Sequence, residues 1–242
     1  IPINKNLIDL VKNKKNNSKI KKFFVLNKKD AGENVKSKIA KLTRDIKINK
    51  IDFIFISSPE NISWLLNLRG ADTEFSPITN GYLILNNKGQ INFFCDIRKI
   101  DKKIRGILKK INFINIKKIT SFISLIKKKR IQIDDQTCSV FFTNILKKNN
   151  QVILKKDPIY LLKSIKNNTE IQNTIKTHIS DGVALTKFLF WIKNNYRRKK
   201  ISEISAQQKL LSLRKKNKKF LSLSFPTISG TGPNASIIHY KA

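Results

Sequence analysis

The chain has two histidines, His178 and His239. Imidazole is the side chain best suited to move or share a proton near neutral pH, so both are first candidates for chemistry. His178 falls between Ile175 and Ile179 in a helical-period stretch, where a partly buried, structural histidine is the expectation. His239 ends an apolar run after Gly230-Thr231-Gly232-Pro233-Asn234, a turn-forming stretch that can aim a side chain into a cleft. The glycine pair is no nucleotide fingerprint, because the GxGxxG spacing and the helix after it are missing. Asp134-Asp135 follows a strand, but adjacent side chains in extended chain point to opposite faces. With no histidine or third acid close in sequence, the pair makes a poor metal site. Cys95 and Cys138 lie far apart without a CxxC pair, so reduced structural thiols are expected. The sequence contains no P-loop, HExxH or GxSxG motif, and a complete active site does not follow from its residues alone.

The formal net charge of +34 invites a nucleic-acid reading. The composition argues against it. Of the 50 basic residues 42 are Lys and 8 are Arg, and Lys, Ile and Asn together make up 107 of the 242 residues. These three types share A/T-rich codons, so a base-composition drift accounts for all three excesses. Selection for phosphate contacts would not enrich Ile, and recognition of bases or phosphates favours the forked guanidinium. The runs Lys12–Lys15, Lys127–Arg130, Arg197–Lys200 and Arg214–Lys219 read as solvated surface, with only weak, salt-sensitive adsorption to polyanions expected. No run of about 18 apolar residues exists, so no membrane-spanning helix is expected. The first residues show no signal-peptide core. Met is absent even at position 1, so either the start was removed or this is an internal piece of a longer chain.

The elements that must position these residues follow from periodicity. Phe23–Leu26 is a short strand. Val35, Ile39, Leu42 and Ile46 give an amphipathic helix over 34–49. A strand over Ile51–Ile56 leads to Ser58-Pro59-Glu60, a helix start, and that helix ends at Arg69-Gly70. Tyr82–Leu85 and Ile91–Cys95 flank Asn86-Asn87-Lys88-Gly89 as a hairpin. Helices near 101–110, 121–128 and 137–147 then alternate with strands near 113–116, 131–133 and 152–154, an α/β pattern. Asp157-Pro158 opens a connecting helix. From Thr169 a long helix runs to Asn195, and a second covers 202–216. Leu223–Ser229 and Ser236–Tyr240 read as two strands. No repeat or linker is visible, so the two units are expected to pack closely.

Three ordered stretches resemble the long Xaa-Pro aminopeptidases (aminopeptidase P) of the creatinase/pita-bread metallopeptidase family. They are Asn61–Asp72 (NISWLLNLRGAD), Lys163–Asn167 with Asp181–Leu185, and Leu223–Asn234 (LSFPTISGTGPN) followed by Ile237-Ile238-His239-Tyr240. The resemblance implies a creatinase-like N-terminal α/β domain over 1–162, the second of two accessory domains. The beginning of a pita-bread (α+β) catalytic domain follows over 163–242. It implies a metallo-exopeptidase that removes the residue preceding a proline, using two divalent ions, typically manganese, to activate a hydroxide. The ligands for those ions are expected outside this chain, so the chain by itself is expected to be inactive. His239 matches the family histidine that lines the substrate cleft, where it is implied as both the catalytic and the substrate-binding residue, without ligating metal. Trp64 is read as core, and Arg69 as an interdomain or turn-fixing ion pair. The resemblance also implies proline-containing peptide substrates, a homodimer, a cytoplasmic location, and neither a membrane nor a specific nucleic acid as partner. The alternatives are a creatinase-type hydrolase working without metal through His239, a non-catalytic pita-bread peptide-binding module, and a polyanion-binding protein.

Overall fold

The computed structural model describes residues 20–198 and 200–241. The Lys12–Lys15 run lies outside them. The first unit is built on a six-stranded mixed sheet. Its strands are β2 (Phe53–Ile56), β4 (Tyr82–Asn86), β5 (Ile91–Cys95), β6 (Ile111–Asn115), β7 (Arg130–Ile133) and β8 (Gln151–Leu154), in spatial order β6-β5-β4-β2-β7-β8. The hairpin β4–β5 and the pair β2–β4 are antiparallel, and the pairs β2–β7, β5–β6 and β7–β8 are parallel. A separate two-stranded ribbon joins β1 (Phe24–Val25) to β3 (Leu68–Arg69).

Alternation along the strands divides the core in two. Ile54, Ile56, Leu83, Leu85 and Phe93 face one side, while Phe55, Ile84 and Phe94 face the other. The first side is covered by α2 (Val35–Ile48), α3 (Pro59–Leu65), α4 (Lys102–Ile107) and α7 (Ile159–Ser164), through Leu42, Ile46, Ile62, Leu65, Ile104 and Ile159. The second is covered by α5 (Ile119–Ser124) and α6 (Val140–Lys147), through Ile119, Ile123, Phe142 and Leu146. A short helix, α1 (Lys28–Ala31), precedes α2. Helix starts obey local chemistry: Ser58, Asp101 and Ser139 accept hydrogen bonds from the first-turn amides of α3, α4 and α6.

The second unit contains α8 (Asn168–Asn195) and α9 (Glu203–Arg214). At 28 residues α8 is about 42 Å long. It opens with a capping box between Asn167 and Glu170, and α9 opens with one between Ser202 and Ser205. The two helices are joined by an Arg214–Asp181 pair at 2.6 and 3.0 Å.

Three expectations need correction. Helix α3 stops at Leu65 rather than at Arg69-Gly70, because Asn67 takes a left-handed conformation (φ 48°) that releases the chain into β3. The stretches Leu223–Ser229 and Ser236–Tyr240 are not strands. A strand needs a hydrogen-bonding neighbour, and none runs beside them among the described residues. Gly232–Ser236 instead forms a 3-10 turn begun by Pro233. On α2 the buried positions are Lys38, Leu42 and Ile46, while Val35 and Ile39 are half-buried to one side.

Candidate functional site

His239 sits on the loop that follows the 3-10 turn. Glu203, in the first turn of α9, organises this loop. Its carboxylate accepts from the Thr231 backbone N–H at 2.7 Å, from Asn234 Nδ2 at 3.2 Å and from the Tyr240 hydroxyl at 2.8 Å. Asn234 Nδ2 also donates to the Tyr240 oxygen at 3.0 Å. Hydrogen bonding from Tyr240 lowers the Glu203 pKa, and the same bond raises that of the phenol. Gln207 Nε2 donates to the Thr227 carbonyl at 3.0 Å and ties the Leu223–Ser229 segment to the same helix. Next to anchored Tyr240, His239 adopts φ 56° and its side chain is exposed. The His239 backbone is thus one residue from a hydrogen-bonded anchor, and its imidazole is open to solvent.

The segment Asn61–Asp72 does not reach this loop. It builds a buried polar cluster where the first unit meets α8. Lys38, 1% exposed, donates to the Trp64 carbonyl at 2.9 Å and to Asn67 Oδ1 at 2.7 Å, and its ammonium lies 3.9 Å from the centre of the Trp64 ring. Asn67 Nδ2 donates to the Glu33 carbonyl at 2.8 Å. Trp64 packs half-buried against the core, and its Nε1 also donates to Glu170 Oε1 on α8 at 3.4 Å. Burial pulls the Lys38 ammonium from 10.5 down to about 8, while the Glu170 and Glu33 carboxylates pull it upward. Arg69 donates to the Ser63 and Leu68 carbonyls at 2.7 and 3.0 Å, which fixes the turn without a direct ion pair among the described residues. The neighbouring contacts are also polar: Asn167 Nδ2 donates to the Ala31 carbonyl at 3.0 Å, and Asn173 Nδ2 to that of Asp30 at 3.2 Å.

Sequence reasoning missed Lys38, Glu170 and Glu203. Lys38 carried one readable signal, its phase: it falls four residues before Leu42 and eight before Ile46, on the buried stripe. Nothing distinguished Glu203 from an ordinary first-turn acid.

The other candidates have structural roles. His178 is exposed rather than partly buried, because the Ile175–Ile179 face of α8 is uncovered among the described residues, and its Nδ1 lies 2.9 Å from the Thr174 carbonyl. Asp134 accepts from the Asp157 and Gln136 amides at 2.8 and 3.0 Å, which closes the turn after β7. Asp157 in turn accepts from Asn61 Nδ2 at 2.7 Å, and burial raises its pKa. Both cysteines are free and buried, with burial pushing the Cys95 thiol up to about 12. No group of three or more His, Cys, Asp or Glu side chains placed to hold a metal ion occurs among the described residues.

The described residues thus form an α/β unit on a mixed sheet, followed by the long helix α8 and by α9. The family described as the creatinase/prolidase N-terminal domain matches residues 13–170, and metallopeptidase family M24 matches residues 173–242. Over residues 13–170 the chain belongs to the creatinase/prolidase N-terminal domain family, and the match to metallopeptidase family M24 follows directly after it. Xaa-Pro aminopeptidase 1 of Dictyostelium discoideum is 34% identical over 98% of this chain and 39% of its own length. Xaa-Pro aminopeptidase ApepP of Drosophila melanogaster is 33% identical over 99% of this chain and 40% of its own length. The crystal structure of X-prolyl aminopeptidase from Caenorhabditis elegans, described as a cytosolic enzyme with a di-nuclear active site, superposes with a TM-score of 0.90 at 26% identity. That superposition covers 100% of this chain and 40% of the other. The chain thus spans about two fifths of the length of the relatives it matches. None of the described helices is long and apolar enough to cross a membrane.

Proposed function

We propose that this chain is the accessory domain and the entry to the catalytic domain of a cytoplasmic Xaa-Pro aminopeptidase, with the division near residues 162 and 163. Its substrates are then peptides with proline in second position, and its assembly is a homodimer. The superposition at a TM-score of 0.90 over the whole chain is the observation that supports this function. Two divalent ions, manganese in this proposal, would supply an activated hydroxide in the longer protein. The described residues of this chain do not bring together a donor set for such ions, and the chain alone is read as inactive.

What the chain contributes is His239. Its exposed imidazole, on a loop pinned by Glu203, can donate a hydrogen bond to the oxygen of the scissile group or share its proton as the tetrahedral intermediate forms. The test uses a longer protein that contains this segment. It should release the first residue of an Xaa-Pro peptide in the presence of manganese, and His239→Ala should lower kcat/KM by about 100-fold. His239→Asn should lose as much, although Asn tolerates the left-handed backbone and so controls for local strain. Activity that stays at the parent level in both variants would remove His239 from the reaction. Release by the 242-residue chain alone would refute the division of labour.

A further inference from the structure

A groove far from the His239 loop in sequence runs along the outer face of α2. Its cavity is about 750 Å3 and is bounded by α2, the hairpin turn at Lys88-Gly89 and the connection from α4 to β6. Its floor is apolar: Val35, Ile39, Ile48, Ile107 and Ile111 line it, and Ile48 and Ile107 are 73% and 55% exposed. Its rim is basic on both sides, with Lys36, Arg44 and Lys47 from the helix and Lys88, Lys109 and Lys110 from the facing segments. Among the described residues no carboxylate lines it. None of these six cations belongs to an ion pair among the described residues. A buried hydroxyl oxygen of the floor, Thr43 Oγ1, has no hydrogen-bond partner there either. Because the lining extends from Val35 to Ile48, the groove is about 20 Å long, the length of a helix of about 14 residues.

We propose that this groove docks an amphipathic acidic helix of a partner protein, with apolar side chains on the floor and carboxylates against the two basic rims. An apolar floor of this length selects a stripe of residues spaced i, i+3, i+4, i+7. Cations along both edges select acids flanking that stripe on both sides, which a single-headed anion such as a fatty acid would not satisfy.

The probe is a fluorescein-labelled peptide of about 14 residues, with leucines at those spacings and glutamates flanking them. Its controls are a scrambled peptide of identical composition and a copy with lysine in place of glutamate. Anisotropy should show saturable binding of the patterned acidic peptide, weaker by about tenfold in 300 mM than in 50 mM salt. Ile48→Asp and Ile107→Asp should each weaken binding by about tenfold or more. Both positions are exposed, so the variants should keep the parent's urea midpoint, which is measured alongside. Equal binding of the scrambled peptide would mean charge adsorption alone and overturn the proposal. Unchanged binding in both variants would overturn it too. Self-association of the chain that disappears in Ile48→Asp, without peptide binding, would overturn it by assigning the groove to a second copy instead.

Discussion

Lys38 offers the sharpest quantitative test of the structure. It is buried beneath Trp64 with two hydrogen bonds, yet the ordinary lysine pKa of 10.5 falls to about 8. Desolvation outweighs every other influence: Glu170 and Glu33 favour the ammonium, while Arg69 and Lys41 oppose it. The unfolded chain therefore holds this proton more tightly than the folded one. Between about pH 8 and 10.5 the unfolded state carries more protons, so stability rises with pH across that window and is flat below it. At about 1.4 kcal/mol per pKa unit, moving from pH 7 to 9.5 yields at most about 2 kcal/mol, and water reaching the cluster reduces this to about 1 to 2.

Lys38→Met keeps the volume and removes the titration. Urea denaturation of parent and variant at pH 7 and 9.5 isolates the effect, because other lysines titrate equally in both. The parent should gain about 1 to 2 kcal/mol on the variant over that interval. A parent-minus-variant difference that is the same at both pH values would refute the burial argument. A parent that loses ground as pH rises would show that the Glu170 and Glu33 carboxylates, not desolvation, dominate.

Four further outcomes follow from the same geometry. Gly32→Ala should destabilise by about 1 to 3 kcal/mol in urea melts, because Gly32 has φ 73° and a Cβ there would stand 2.2 Å from Asn167 Oδ1. Arg214→Ala, which breaks a part-exposed pair with Asp181, should cost less than about 1 kcal/mol in the same assay. Glu203→Ala should release the 231–240 loop, read as faster proteolysis and faster amide exchange at Thr231 with little change in the urea midpoint. A thiol reagent at neutral pH should label Cys95 and Cys138 only after unfolding, since both are buried and burial raises their pKa values.

The α/β unit was legible because its signals are local. Strand alternation, the Ser58-Pro59 start and the Asn86–Gly89 turn each specify their element without help from distant residues. The apolar segments around His239 were misread for the opposite reason. Leu223–Ser229 alternates like a strand, but Pro226 at its centre cannot donate to a ladder, and a strand also needs a neighbour that the segment itself does not specify. Asn67 misled in a smaller way: its left-handed backbone, which ends α3, is set by bonds to Lys38 and Glu33 that come from another helix and its N-terminal flank. His178 was placed in the right helix and on the wrong surface, since helical phase shows which residues share a face but not whether anything covers it.

The net charge also acquires a structural meaning. With 50 cations and 16 acids, acids are the scarce partner, and where they are placed is informative. Glu170 joins α8 to Trp64, Asp181 joins α8 to α9, Glu203 pins the loop before His239, and Asp157 with Asp134 closes the turn that leads out of the sheet. Glu170, Asp181 and Glu203 each tie α8 or α9 to a neighbouring segment, whereas Asp134 and Asp157 are buried beside core residues. Among the lysines, Lys38 is sealed beneath an indole, and in the α2 groove six cations surround an apolar floor without an acid among the described residues. A compositional drift toward lysine explains cations scattered over a surface. It does not explain a buried one held by two hydrogen bonds, and at Lys38 the charge of this protein has a specific consequence.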